Sequence, residues 1–216
     1  MSDKLQKLKI PLPDKRLFDV NHLRIGTAPC QDLDEFTRET FLNEDHFLFN
    51  FDHIHLTAAR IGYLFTTEPN SRNGKGIIGT CEIPMFRCGK WQKARQEQQI
   101  YEWFGFMPDF LITYSAPFWM NEIENAMPQN VLSLYEHELY HAGQAKDDFG
   151  MPKFSRATGK PVFAMAPHSV EEHTGVVRRY GVSASGQDAV DFVSAALQDP
   201  EIAPARLKGL CGSCVK

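Results

Sequence analysis

Two histidines and a glutamate, His137, Glu138 and His141, stand in the order H-E-x-x-H within the run YEHELYHA (135–142). On a helix, residues four apart lie one turn above each other on the same face. Both imidazoles can therefore reach one cation about 2 Å away. Glu138 projects beside the first histidine, where a carboxylate serves a water rather than the metal. A zinc ion with three protein ligands keeps an open position, polarises a carbonyl and lowers the pKa of a water it holds from 15.7 toward about 7. The chemistry to which this triad points is zinc-assisted hydrolysis of a peptide bond. His137 and His141 bind the metal, and Glu138 is the general base that later passes the proton to the leaving amine.

A third ligand is needed, and the run His168-Ser-Val-Glu-Glu-His173 offers candidates. On a helix opening at Pro167, His168, Glu171, Glu172 and Gly175 share one side, and a glycine there suits close approach to a second helix. His168 completes an all-histidine site; Glu171 or Glu172 completes a two-histidine, one-glutamate site. His173 falls on the core-facing side and reads as structural. Arg178 and Tyr180 follow and are candidates for stabilising a transition-state oxyanion. His53 and His55, two apart among apolar neighbours, read as packing residues.

The odd set of five cysteines does not resemble a disulfide framework. Cys211-Gly-Ser-Cys214 has CxxC spacing and, with Cys81 and Cys88, supplies four thiolates for a structural zinc. The six-residue gap between Cys81 and Cys88 is not a finger spacing, so free thiols are the default expectation.

The elements that must position these groups follow from pattern. Apolar spacing predicts helices over 32–41, 51–65, 90–102, 119–126, 129–146, 167–180 and 186–197. Strands are expected over 77–86 and 110–115, a loop over 68–76, and a β-hairpin over 153–166 centred on Thr158-Gly159-Lys160. The strand at 110–115 is a candidate for the cleft edge that takes a substrate backbone. Residues 1–30, with Pro11, Pro13 and Pro29, read as an irregular arm. The expected organisation is an arm and short helix over 1–50, the metal-binding domain over 51–182, and a helix with a CxxC tail over 183–216.

Composition narrows the functional classes. With 43% apolar and 23% charged residues, the 216-residue chain can bury a substantial core. A net charge of -4 and the absence of a basic patch argue against nucleic acid as a partner. No stretch approaches the roughly 20 apolar residues of a membrane span, and the charged start has no apolar run behind it. A reducing, cytoplasmic setting is therefore expected. Oligomeric state is not legible.

Taken together, LTAARIGYLF (56–65), FLIT (110–113), YEHELYHA (135–142) and HSVEEHTGVVRRYG (168–181) resemble the phage metallopeptidase family, known mainly from bacteriophages and prophages. The resemblance implies an α+β, minimal zincin-like fold of SprT-like flavour, a small sheet packed on the HExxH helix. It also implies that a histidine opening the helix after the hairpin, here His168, is the third ligand. The expected function is that of a zinc-dependent peptidase acting on a protein or peptide, phage- or prophage-encoded. The alternative is a non-catalytic, zinc-stabilised protein-interaction module.

Overall fold

A computed structural model describes residues 2–19, 25–170, 174–207 and 209–213. In chain order, the elements begin with α1 (Ser2–Lys7), a 3-10 turn (Lys15–Phe18), β1 (Thr27–Pro29) and α2 (Asp32–Thr40). A 3-10 segment (Phe51–Ala58) precedes β2 (Ile61–Thr66), β3 (Ser71–Arg72) and β4 (Lys75–Glu82). Next come α3 (Lys90–Phe104), β5 (Phe110–Ser115), α4 (Ala116–Glu124), α5 (Pro128–His141), β6 (Ala142–Gln144) and β7 (Phe163–Met165). The last are α6 (Thr174–Tyr180), α7 (Gln187–Ala196) and β8 (Leu210–Cys211). The chain is an α+β protein in which a small sheet packs on the helix that carries the H-E-x-x-H run.

Among the described residues the main sheet runs β1-β2-β5-β4-β3, with β8 also paired to β4. β2 and β5 are parallel, Ile61 opposite Phe110 through Thr66 opposite Ser115. β4 returns antiparallel to β5, and β1 antiparallel to β2. The second sheet is the pair β6 and β7.

Helix α5 lies against this sheet through an aromatic stack. The Tyr135 ring is stacked on Tyr63 and Tyr114, with centroids 5.7 and 5.5 Å apart. Phe36, Phe41 and Trp119 close around it. Buried phenols need partners. The hydroxyls of Tyr63 and Tyr135 meet that of Thr37 at 2.6 and 2.5 Å, and the Leu33 carbonyl accepts from Tyr135 at 2.7 Å. Fully burying one Leu or Phe contributes about 1.5–3 kcal/mol. With Leu134, Leu139, Phe65 and Phe110 buried at this interface, the rotation of α5 about its axis is strongly determined.

Several sequence expectations change. Segment 51–65 is not one helix: the 3-10 segment gives way to strand β2, which is buried between β1 and β5. A strand covered on both faces has no alternating pattern, so its apolar run reads as helix-compatible. The helix expected over 129–146 stops at His141, because 142–144 leaves to pair with β7. The predicted hairpin is therefore wider than 153–166: its first strand follows α5 directly. It carries bridges Lys146 to Pro152 and Phe154 to Pro161 above β6 and β7.

Strand β5 is interior, paired with β2 on one side and β4 on the other, so it cannot be a cleft edge. The loop expected over 68–76 contains a hairpin whose turn residues Asn73 and Gly74 both have positive φ, 50° and 75°. This is the backbone that an Asn-Gly pair favours. The N-terminal arm is structured too: Leu5 and Leu17 are buried, and β1 extends the sheet. The segment from 167 to 170 is not helical, and α6 begins at Thr174. No helix among the described residues is long and apolar enough to cross a membrane.

Candidate metal centre and active site

Pro128 occupies the first turn of α5, where its missing N–H costs nothing. The helix then presents three kinds of side chain. Tyr135 and Leu139 enter the core, half-buried His137 and buried His141 lie one turn apart, and Glu138 lies between, turned toward the sheet. His141 Nε2 is 3.3 Å from His137 Nε2.

His168 arrives from the non-helical stretch after β7 and places its Nε2 3.2 Å from His137 Nε2. The three candidate donor atoms all lie within 4.8 Å of one another. Metal–nitrogen bonds of about 2.0–2.1 Å in a tetrahedron put neighbouring nitrogens roughly 3.3–3.4 Å apart. The two measured separations come close to that edge. The three imidazoles therefore lie close enough together to share a single cation.

The hairpin orients the second of these rings. His141 Nδ1 donates to the Ala166 carbonyl at 2.7 Å, which leaves Nε2 with its lone pair facing the other rings. Ala166 N–H in turn donates to the His141 carbonyl at 2.9 Å, capping the helix end. Gly143 permits this contact, since a Cβ there would lie 2.9 Å from the Ala166 Cβ and 3.1 Å from the Ala164 carbonyl oxygen. From the other side, the His55 ring binds the Ala142 carbonyl at 2.7 Å. His53 is buried against Phe41 and Tyr140.

Glu138 is fully buried. Its Oε1 has no hydrogen-bond partner among the described residues, and its Oε2 accepts from Ser213 Oγ at 3.1 Å and from Cys211 Sγ at 3.5 Å. Burial pushes its carboxyl up to about 8; Cys211 adds to the rise, while His141 and Ser213 oppose it. The carboxylate fits because position 79 on β4 is glycine. A Cβ there would lie 2.6 Å from Oε1 and 2.9 Å from Leu134 Cδ1.

Outside the rings opens a cavity of about 560 Å³, lined by His137, Tyr140, His141, His168, Ser169, Val170 and Phe192. Its lining combines ring nitrogens with apolar side chains, the usual make-up of a ligand pocket.

Other expected site residues lie elsewhere. Glu171, Glu172 and His173 fall outside the described residues, as does Cys214. Arg178 and Tyr180 do not line the cavity; Tyr180 is exposed on α6 beneath the Arg179 guanidinium, 5.4 Å from its ring centroid. Cys81 is buried on β4, whereas Cys88 is exposed and contacts Gln96 Oε1 at 3.1 Å. Among the described residues no cluster of three thiols forms. Cys211 instead groups with His137 and Glu138, donor atoms within 4.8 Å.

Sequence reasoning missed Gly79, Ala166, Cys211 and Ser213 as neighbours of the site. Gly79 carried a signal, since a glycine within a strand run often marks close approach by another group. The other three depend on long-range pairing.

A family model described as Putative phage metallopeptidase matches residues 34–197. No curated protein and no solved structure matches the chain.

Proposed function

This chain belongs to the Putative phage metallopeptidase family, and on that premise we propose that it is a zinc-dependent peptidase, phage- or prophage-encoded, with Glu138 as its general base. The observation that carries the reading is the triangle of three imidazole nitrogens, with edges of 3.2 and 3.3 Å, beside a buried carboxylate. His137, His141 and His168 would hold the ion. Three nitrogen donors in tetrahedral array suit zinc, which prefers this geometry and this ligand type.

When bound, zinc supplies Lewis acidity for the scissile carbonyl and for the attacking water. The chain's own residues do the rest. Glu138 accepts the proton of the attacking water and delivers it to the departing amine nitrogen. Its raised pKa reflects a dry setting that favours taking up a proton. The Ala166 carbonyl keeps the His141 ring in one tautomer and one orientation. Ser169, Val170, Tyr140 and Phe192 line the cavity in which a substrate side chain would rest.

Glu138→Gln tests the reading. The variant should keep its fold and its bound zinc while its peptidase rate falls by about 10²–10⁴, the usual worth of a positioned general base. Equal cleavage by both proteins would overturn it.

A non-catalytic, metal-stabilised module is the second reading. It is favoured by the approach of Cys211, because four protein donors are typical of structural zinc. In that case Glu138→Gln leaves the function, partner binding, unchanged.

A further inference from the structure

We infer that the segment 209–213 occupies the place of a substrate backbone, and that Cys211 is a fourth protein donor to the cation. The chain thereby closes its own site until that segment is displaced. The first half of the inference rests on the peptidase reading; the ligand assignment does not.

The edge of β4 that borders Glu138 is the natural place for an extended peptide, since an edge strand offers a row of free N–H and C=O groups. Strand β8 already takes it, parallel, with Leu210 opposite Ile77 and Cys211 opposite Gly79. Gly212 N–H donates to the Gly79 carbonyl at 2.8 Å. Two glycines make the approach possible. A Cβ at Gly209 would lie 2.5 Å from Ile78 Cγ2, and one at Gly212 would lie 2.5 Å from Thr80 Cγ2.

The side chains of Cys211 and Ser213, on either side of Gly212, go to the candidate base. Ser213 Oγ donates to Glu138 Oε2 and accepts from the Cys81 backbone N–H. Cys211 Sγ is 3.5 Å from the same carboxylate oxygen and within 4.8 Å of a His137 ring nitrogen. A general base needs a water within reach, yet Glu138 is buried against these two groups and Gly79, and its Oε1 has no partner among the described residues. That combination describes a closed site. Sulfur is a good donor for a cation that already has three imidazoles, and the thiol proton passes to solvent as the bond to the metal forms. The closure is a non-covalent competitor for the cleft, which a tighter-binding peptide displaces.

The test uses the full chain loaded with Co²⁺ in place of zinc. Wild type should show a sulfur-to-cobalt charge-transfer absorption. Cys211→Ala should lose it while keeping one Co²⁺ per chain on the three histidines. A second variant, Gly209→Val with Gly212→Val, pushes the strand off β4 with the thiol intact, and should lose the band as well. With zinc restored, both variants should cleave a labelled unfolded polypeptide about ten-fold or more faster than wild type, since the open form is no longer a minor state.

Wild-type and Cys211→Ala spectra that coincide would overturn the ligand assignment. A wild type that cleaves as fast as both variants would overturn the closure. If the band behaves as expected and no form cleaves any polypeptide, the Cys211 assignment stands and the peptidase reading fails.

Discussion

Gly79 on β4 and Glu138 on α5 face each other so closely that one added carbon would meet the carboxylate oxygen at 2.6 Å. The strand therefore forms the wall behind the candidate base. Gly79→Ala should force the carboxylate out of place and leave the three histidines untouched. We expect metal content to hold at the wild-type level while kcat/KM falls at least ten-fold. Overpacking of this kind also costs about 1–3 kcal/mol of stability, readable as a lower Tm.

His168 comes from a segment 31 residues away from His137, yet its ring nitrogen lies 3.2 Å from that of His137. Alanine at His137, His141 or His168 should each lower zinc retention by orders of magnitude in protein purified without added metal. Elemental analysis against zinc-buffered standards reads this directly. Zinc retained in His168→Ala but lost in Glu171→Ala or Glu172→Ala would transfer the role to a glutamate.

Metal binding and protonation compete for the same ring nitrogens. A ligand that binds only the folded state at 100 times its Kd adds about 2.7 kcal/mol of stability. Zinc-loaded protein should thus melt well above chelator-treated protein at pH 7.5. The difference narrows toward acid, because protons compete with the metal for its ligands. Melting curves with and without chelator from pH 5 to 8 check the sign. A gap that widens toward acid would contradict it.

Tyr135 ties α5 to α2 through hydroxyl contacts with Thr37 and the Leu33 carbonyl. Tyr135→Phe leaves the stacked ring and strands buried polar partners. The expected cost is roughly 1–3 kcal/mol in denaturant unfolding, with zinc stoichiometry unchanged. A neutral result would mean that Thr37 and Tyr63 satisfy each other without it.

What was legible in the amino-acid order is what depends on short separations. The spacing of His137 and His141 sets both rings on one helical face, whatever surrounds that helix. The helices near 32–41 and 90–102 and the strand Phe110–Ser115 were readable for the same reason, since their periodicity or β-propensity is local. Strand β2 was misread because burial on both faces erases the alternation that marks a strand. The ends of α5 and of the hairpin were misread because the pairing of 142–144 with 163–165 terminates the helix, and no local signal announces it.

The tertiary structure alone decided the rest. Folding brought His168 to the other imidazoles, gave Glu138 a dry niche beneath Gly79, and laid Cys211 and Ser213 along β4. Each of these contacts joins residues from 31 to 132 positions apart. Residue type and spacing can nominate such partners, but only the closure of the sheet and core chooses among them, because the energy of a long-range contact is realised only once the whole surface around it is buried.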